Sequence, residues 1–345
     1  MNGATKARYA SNFLIGHLFM QIPLTTPDFR FRRLRKTSAL RELVRETHVR
    51  MSDFILPIFI EEGITAPVAI KSMPDVYRYP EDQLAGIVTR AWSKGVKAVI
   101  LFGVSTHKDS EGSDTWCEQG LLARMIRTAK QAQPDMLVIS DNCFCEYTDH
   151  GHCGVVTHDD VANDATLINL QKQVVLAAQA GVDMIAPSGM MDGMIGAIRE
   201  ALDTAGFTHI PVMSYSTKFA SAFYGPFRDA VDSSFKGTRN TYQMDPANAR
   251  EALAESMQDE AEGADILMVK PGIAYLDVLA HIRANSARPL AVYHVSGEYA
   301  MIKAGAAAGV IDEKAIVLET MTAFKRAGAD LIITYYAEKM AEWLA

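Results

Sequence analysis

The sequence is poor in three features that would place it in a specialised class of protein. Cysteine occurs only four times in 345 residues, too rarely for the disulfide framework of a small secreted protein. The longest early apolar run, FLIGHLFM at residues 13–20, is too short to cross a bilayer. Lysine and arginine do not outnumber the acids, and the formal net charge is −7. With no excess of positive charge, we expect no nucleic-acid or membrane partner and predict a cytoplasmic location.

The N-terminal segment leaves one alternative to that location. Its first 20 residues contain Lys6 and Arg8 and no acid, and they show no signal-peptide pattern, so a transit peptide is the alternative. The basic run RFRRLRK follows at residues 30–36. Such a run is typical of a solvated face or of an arm that lies on a partner subunit. We predict an N-terminal extension and arm over residues 1–36.

The rest of the sequence alternates short apolar runs with helical patterns. Apolar runs without polar alternation indicate parallel strands that are buried on both faces. Strands that alternate with helices of 10–15 residues indicate βαβ units. Eight units fit a (β/α)8 TIM barrel, an α/β fold, better than a doubly wound sheet, so we predict one catalytic barrel over residues 37–345. The eight predicted strands are 54–60, 96–104, 135–142, 182–189, 209–218, 264–270, 289–297 and 329–337.

Two lysines stand at the ends of neighbouring predicted strands. Lys218 closes the run MSYSTK and Lys270 closes ILMVK, whereas lysine is rarely buried without a partner. In a TIM barrel the chemistry lies at these carboxyl ends. A desolvated amine, or one beside another cation, loses its proton more easily and can form a Schiff base. The alternative is a surface charge at a strand end. Other polar residues at predicted strand ends are Asp141, Ser188, Ser296, Tyr335 and Tyr336.

Three of the four cysteines lie in the stretch DNCFCEYTDHGHCG, residues 141–154. Cys143 and Cys145 are too close in sequence for an unstrained disulfide. Together with Cys153 they form a good ligand set for zinc, which binds thiolates at about 2.3 Å. His150 or His152 could close such a site as a fourth ligand, and a purely structural cluster is the alternative to an open catalytic site. Cys117 has no neighbouring thiol and is predicted to take no part.

The long connection after Lys218 contains two arginines, Arg228 and Arg239, among aromatic residues. Arginine binds carboxylates through two parallel hydrogen bonds, so this connection predicts an acidic substrate. Its glycines and aromatic residues are also compatible with a lid. Exposed loop arginines without a ligand are the alternative.

Five motifs resemble those of one enzyme family. DNCFCEYTDHGHCG, APSGMMDG, MSYSTKFASAFYGPFRDA, MVKPGIAYLD and VSGEYAMIKAGA are similar to the motifs of porphobilinogen synthases, also called 5-aminolevulinate dehydratases. The resemblance runs from about Arg30 to the C-terminus, in order and with no motif missing. The two lysine motifs together with the cysteine stretch make it specific.

The resemblance implies a reaction and a role for each matching residue. Two molecules of 5-aminolevulinate would condense to porphobilinogen with loss of two waters, a step of tetrapyrrole and haem biosynthesis. Lys270 would form the Schiff base with the first-bound substrate and Lys218 the one with the second, and Asp141 would lie beside the amino groups and the reacting centre. The implied substrate-binding residues are Ser296 and Tyr335 at one carboxylate, Arg228, Arg239 and Gln243 at the other, and also Ser188, Tyr224 and Phe227.

The resemblance also implies metals and an assembly. Zinc on Cys143, Cys145 and Cys153 would hold a hydroxide or the second substrate's amine. Some bacterial relatives carry aspartates there and do not use this zinc; because all three cysteines are present here, the resemblance implies zinc dependence. Glu255 matches a glutamate that supports a stimulatory magnesium near a subunit interface, with a solvated helix acid as the alternative. Family members are homo-octamers whose arm wraps a neighbour, whereas the first 25 or so residues have no counterpart.

Three rival functions explain less of the sequence. A Schiff-base aldolase would need only one lysine and would leave the cysteines unexplained. A zinc hydrolase would favour histidine and aspartate ligands and would leave the lysines unexplained. A non-enzymatic zinc-holding protein would need no deprotonated lysine and would trap no substrate covalently.

Overall fold

The computed structural model describes residues 10–15, 18–23, 30–158, 160–231 and 238–344, with side chains from residue 30 onward except those of residues 228 and 229. The chain divides into two compact units, residues 1–48 and 49–345. The predicted boundary after residue 36 stays a prediction. Among the described residues, no helix is long and apolar enough to cross a membrane.

The described part of the first unit contains a strand pair and two short helices. The strands Ala10–Ile15 and Leu18–Pro23 are antiparallel. A 3-10 helix, Phe31–Arg35, precedes the α-helix Ser38–Leu43. Thr37 caps this α-helix, since its hydroxyl oxygen accepts the N–H of Leu40 at 3.2 Å.

The second unit is a barrel of parallel strands. Its strands β1 to β8 are Phe54–Glu61, Ala98–Val104, Leu137–Asn142, Met184–Pro187, Met213–Lys218, Ile266–Lys270, Leu290–Tyr293 and Leu331–Ile333. Hydrogen bonds join them in the order β4, β3, β2, β1, β8, β7, β6, β5. A parallel bridge between Ile185 and Val212 links β4 to the residue before β5 and completes the ring. The predicted TIM barrel is therefore confirmed.

Helices and short elements fill the connections of the barrel. The helices are Leu84–Ser93, Leu121–Ala132, Asn163–Gln179, Met194–Thr204, Gly225–Ala230, Ala249–Glu262, Leu276–Asn285, Ser296–Ala307, Glu313–Ala327 and Ala337–Trp343. The 3-10 helices are Met51–Asp53, Glu81–Gln83, Ser113–Trp116, Ala222–Tyr224 and Ile273–Tyr275. The short strand pairs are Val68–Ala69 with Tyr77–Pro80, and Val156–Thr157 with Asp160–Val161.

The last two strands end earlier than predicted. β7 stops at Tyr293, and Ser296 is the first residue of the next helix. The start of this helix is fixed because the Glu298 carboxylate accepts the N–H of Val295 at 2.9 Å. β8 stops at Ile333, because the hydroxyl of Thr334 turns the chain by accepting the N–H of Tyr336 at 3.2 Å. An apolar or aromatic run does not reveal such side-chain turns. Ser296, Tyr335 and Tyr336 still lie directly beyond the strand ends, but the hydroxyl of Tyr336 donates to Glu313 of an outer helix at 3.1 Å.

Candidate active site

The two lysines are the last residues of β5 and β6 and face each other in the register of the sheet. Both are buried, with 5% of each residue exposed. The ammonium of Lys218 donates to the backbone oxygen of Ser188. The Lys270 Nζ lies 4.4 Å from the ring centre of Tyr293 and 5.0 Å from that of Tyr215. A cation at such distances interacts favourably with the ring faces.

Burial and the neighbouring lysine change the protonation of Lys270. Desolvation, followed by the charge of Lys218, lowers the pKa of Lys270 from 10.5 to about 7. Burial, followed by the charge of Glu146, raises the pKa of Asp141 to about 7, while both lysines act in the opposite direction. The Ser188 hydroxyl donates to the Asp141 carboxylate at 3.2 Å. The mouth thus contains an amine and a carboxyl group that both exchange protons near neutral pH.

The three cysteines that follow β3 lie together. Their sulfurs are all within 4.8 Å of one another, with Cys143 Sγ and Cys145 Sγ 3.2 Å apart, and all three thiols are buried and free of disulfides. Hydrogen bonds from Cys143 and Cys145 hold the pKa of Cys153 well below its ordinary value. Three converging sulfurs at this spacing fit one thiophilic ion, such as zinc, and do not fit a hard oxygen-seeking ion.

The two histidines of this stretch make other contacts. His150 Nε2 lies 3.1 Å from the backbone oxygen of Ser110. His152 Nδ1 lies 3.2 Å from the hydroxyl of Tyr242. Within the described ranges, neither histidine has a ring nitrogen inside the 4.8 Å group of sulfurs. The histidines therefore lie outside the group of sulfurs, whereas Asp141 and Glu146 each offer a carboxylate oxygen within 4.8 Å of Cys143 Sγ.

One cavity of about 320 Å³ connects both lysines with the loop after β5. Arg239 and Gln243 line it, together with Tyr224 and Phe227. Arg239 Nη2 donates to the backbone oxygen of Gly151 at 2.9 Å, which anchors the loop to the cysteine stretch. Desolvation opposes the charge of Arg239, but the charge of Cys153, followed by that of Cys145, outweighs it and raises the pKa of Arg239, so it stays charged. The helix Gly225–Ala230 contains residue 228, but the side chain of this predicted arginine is outside the described residues.

Two more predicted residues, Tyr335 and Ser296, lie directly beyond β8 and β7. The Tyr335 hydroxyl is 3.4 Å from that of Tyr293, the residue whose ring contacts Lys270. Ser296 is buried at the start of its helix and donates to the backbone oxygen of Phe223 at 3.4 Å. Tyr335 is thus connected to Lys270 through Tyr293, whereas Ser296 contacts the loop after β5, other residues of which line the cavity.

The hydroxyl of Tyr224 attaches the loop after β5 to the end of β6. It donates to the backbone oxygen of Lys270 at 3.2 Å. The ring centres of Tyr224 and Phe227 lie 5.5 and 5.3 Å from Lys270 Nζ. Both predicted aromatic residues therefore contact the Lys270 amine as well as the cavity.

Glu255 lies apart, on the helix Ala249–Glu262. It lines a second cavity of about 320 Å³ with Asp192 and Glu251, and this cavity shares Asn240 and Gln243 with the first. Desolvation raises the pKa of Glu255, and the charges of Asp192 and Glu251 add to the rise. A crowd of carboxylates in a half-buried pocket offers oxygen ligands to a hard cation.

Sequence reasoning missed Tyr215, whose ring lies near both ammonium groups, at 5.8 Å from Lys218 Nζ and 5.0 Å from Lys270 Nζ. Regular alternation would place Tyr215 and Lys218 on opposite faces of β5. An irregularity between Ser214 and Thr217 brings both to the mouth. Ser214 instead donates to a carboxylate of the outer helix. No local sequence signal marks this irregularity.

Comparison with known proteins decides the family. The family model described as "ALAD: Delta-aminolevulinic acid dehydratase" matches residues 28–343. The chain belongs to this dehydratase family. It is 56% identical over 311 residues to the delta-aminolevulinic acid dehydratase of Escherichia coli (strain K12), covering 90% of this chain and 96% of the relative. The enzyme of that name from Halalkalibacterium halodurans is 52% identical over 316 residues, which cover 91% of this chain and 96% of the relative.

A solved structure of the dehydratase family has the same fold. The crystal structure of delta-aminolevulinic acid dehydratase (porphobilinogen synthase) from Toxoplasma gondii ME49, in complex with the reaction product porphobilinogen, superposes with a TM-score of 0.89. It is 47% identical and covers 91% of either chain. The predicted family and the predicted enzyme class, a dehydratase of porphyrin biosynthesis, are therefore confirmed.

Proposed function

We propose that the chain condenses two molecules of 5-aminolevulinate to porphobilinogen through lysine Schiff bases, with zinc on the three cysteines. The observation that carries the proposal is the pair of buried lysines at adjacent strand ends. 5-Aminolevulinate offers a ketone to an amine nucleophile, a carboxylate to hydrogen-bond donors, and an amine of its own. The mouth supplies a partner for each of these groups.

Lys270 is the first nucleophile in this proposal. Its lowered pKa of about 7 leaves a substantial share of unprotonated amine near neutral pH. The amine attacks the ketone carbon, the ketone oxygen leaves as water, and an imine forms. The carboxylate of the same molecule would bind Tyr335, whose hydroxyl lies 3.4 Å from that of Tyr293 beside Lys270, and Ser296, the first residue of the helix after β7. The first turn of the helix Ser296–Ala307 also favours a negative charge.

Lys218 would hold the second substrate in the same way. The backbone oxygen of Lys218 accepts the N–H of Met244 at 3.1 Å, so the end of β5 is attached to the segment that carries Gln243. Arg239 and Gln243 line the cavity beside Lys218 and would bind the second carboxylate, with Arg228 as a further donor. Each lysine would thus have its own carboxylate-binding group at a fixed distance from its amine.

Asp141 and Ser188 would serve the proton transfers beside the substrate amines. With a pKa of about 7, the Asp141 carboxyl group can accept a proton and return it near neutral pH. The Ser188 hydroxyl, which donates to Asp141, keeps that carboxyl group in place. Tyr224 and Phe227 line the cavity and would exclude water from the two substrates.

Cys143, Cys145 and Cys153 would hold the zinc, since their converging sulfurs suit a soft ion. When bound, zinc would supply a Lewis acid that keeps the second substrate's amine deprotonated and oriented. Glu255, with the carboxylates around it, would support a stimulatory magnesium. A homo-octamer, an arm on the neighbouring subunit and a cytoplasmic location complete the proposal and stay predictions.

Covalent trapping tests the proposal. Borohydride added with 5-aminolevulinate should reduce the imine to a stable secondary amine at Lys270, at Lys218 or at both, and peptide mapping locates the adduct. Lys270→Met should abolish the adduct at that position and the formation of pyrrole. An unmodified peptide map at both lysines, in folded protein that contains zinc, would refute the Schiff-base roles.

A further inference from the structure

Glu298 is a buried carboxylate to which the proposed reaction gives no role. It is the third residue of the helix Ser296–Ala307, and only 1% of it is exposed. Among the described residues, no lysine or arginine forms an ion pair with it. Burial of an unpaired carboxylate is costly, and desolvation raises the pKa of Glu298 to about 7. A residue retained at such a cost invites a functional explanation.

The carboxylate joins two segments of the mouth. Its Oε2 accepts the N–H of Val295, directly before Ser296, at 2.9 Å. The same oxygen accepts the N–H of Gly272 at 3.4 Å, and Oε1 accepts the N–H of Ile273. Gly272 and Ile273 follow the reactive lysine of β6 in the chain. One side chain therefore links the segment after that lysine to the start of the helix that carries Ser296.

Helix capping explains only part of this arrangement. A glutamate at the third position often accepts the N–H of the residue before the helix, as Glu298 does with Val295. Capping does not require the bonds from Gly272 and Ile273, which lie on the loop after a different strand. Gly272 is also tightly packed, because a Cβ there would lie 2.7 Å from the ring of Phe324. The loop consequently has little freedom to move independently of its bonds to Glu298.

We propose that Glu298 is a positioning residue that holds Lys270 and Ser296 at the separation of the ketone and the carboxylate within one substrate molecule. This inference rests on the proposed function, in which Lys270 binds the ketone and Ser296 the carboxylate. In a 4-oxo acid these two groups are separated by two methylene groups. By fixing this separation, Glu298 makes the site selective for the chain length of the substrate and also helps the site to bind the substrate.

Glu298→Gln is the most informative change, since it keeps the shape of the side chain. An amide has one accepting oxygen, so its NH₂ group must face either the N–H of Ile273 or those of Val295 and Gly272. The NH₂ group then faces a backbone N–H, two donors that cannot bond. Either the loop after β6 or the start of the helix Ser296–Ala307 therefore loses its bond to residue 298. We expect kcat/KM to fall by about 10- to 100-fold, the range for a reacting group displaced by about 1 Å. The fall should be mainly an increase in KM.

Chain-length selectivity separates positioning from a structural role. Wild-type protein is incubated with 4-oxopentanoate or with 5-oxohexanoate, which has one more methylene group, and the adduct at Lys270 is trapped with borohydride and quantified. The wild type should trap the shorter acid in clear excess, and Glu298→Gln should bring the ratio of the two adducts close to one. Equal trapping of both acids by the wild type, or an unchanged ratio in the variant, would overturn the inference.

Asp53→Asn is the matched control. Asp53 is a buried carboxylate that precedes β1, at the opposite end of the barrel, and accepts the N–H of Arg50 at 2.9 Å. The control should lose thermal stability and keep the wild-type ratio of adducts. If Glu298→Gln does not fold, Glu298→Asp replaces it, since this shorter carboxylate cannot reach both segments. Failure of both variants to fold would make Glu298 purely structural and overturn the inference. An adduct at Lys218 alone would also overturn the inference, whereas no adduct at either lysine in the wild type would instead contradict the proposed function itself.

Discussion

Replacing Lys218 with methionine should make the unchanged Lys270 a poorer nucleophile at neutral pH. Lys218 is a positive charge beside Lys270 and disfavours protonation of the Lys270 amine. Lys218→Met keeps most of the volume of the side chain and removes the charge. The pKa of Lys270 should therefore rise from about 7, and a smaller share of its amine should be unprotonated at neutral pH.

The size of the effect follows from the geometry. The two Nζ atoms lie 5.8 and 5.0 Å from the ring centre of Tyr215, so they are no more than about 11 Å apart. At that distance two unit charges repel by about 1.5 kcal/mol with an effective dielectric constant of about 20. This energy corresponds to about one pH unit, and shorter separations give more. The pKa of Lys270 should thus increase by about one unit or more in the variant.

The assay follows imine formation with 4-oxopentanoate, which has no amine and cannot be condensed further. Cyanoborohydride traps the imine at a series of pH values, and the initial rate of adduct formation at Lys270 is read by peptide mapping. The rate should rise with pH through about 7 in the wild type and through about 8 or higher in Lys218→Met. Lys218→Arg keeps the charge and should retain the wild-type midpoint. Equal midpoints for the wild type and Lys218→Met would refute the electrostatic coupling of the two lysines.

Three further changes test other parts of the site and the fold. Cys143→Ala should remove bound zinc and most of the activity while the barrel stays folded, as metal analysis and circular dichroism would show; full activity would make the cysteine stretch accessory. Burial raises the pKa of Asp259 to about 7, so the folded protein favours the protonated carboxyl group. The contribution of this group to the free energy of unfolding is complete below the unfolded pKa of about 4 and is lost as pH rises through about 7. The difference in Tm between Asp259→Asn and the wild type should therefore favour the variant more at about pH 8 than at about pH 5. A difference that does not change with pH would contradict this. Gly297→Ala would place a Cβ 2.8 Å from Cα of Phe223, so KM should rise several-fold through a displaced Ser296, whereas an unchanged KM would show that the segment adapts.

Local patterns were sufficient to predict the barrel and much of its mouth. Most of the strands are runs of apolar residues, as parallel strands buried on both faces require, and β5, MSYSTK, is the clearest exception. Lys270 could be placed at a strand end because an apolar run stops there, and Lys218 because it ends the β-branched and aromatic stretch MSYSTK. The close spacing of Cys143, Cys145 and Cys153 in the chain likewise predicted a cluster, and the sulfurs do lie together.

Features that depend on backbone irregularities or on distant pairs could not be predicted. Tyr215 reaches the mouth only through the irregularity in β5, and no local pattern fixes where a strand departs from regular pairing. Glu298 reads as an ordinary capping residue, and its bonds to Gly272 and Ile273 come from another βα unit. Ser296 was assigned to a strand although it begins a helix, because the turn before it is held by a side chain.

The formation of porphobilinogen from 5-aminolevulinate, with and without a zinc chelator, tests the central claim most directly. Pyrrole should form with purified protein, disappear on chelation and return when zinc is restored. Activity that survives complete removal of zinc would confirm the reaction and contradict the role of the three cysteines. No pyrrole from folded, zinc-loaded protein would contradict the proposed function.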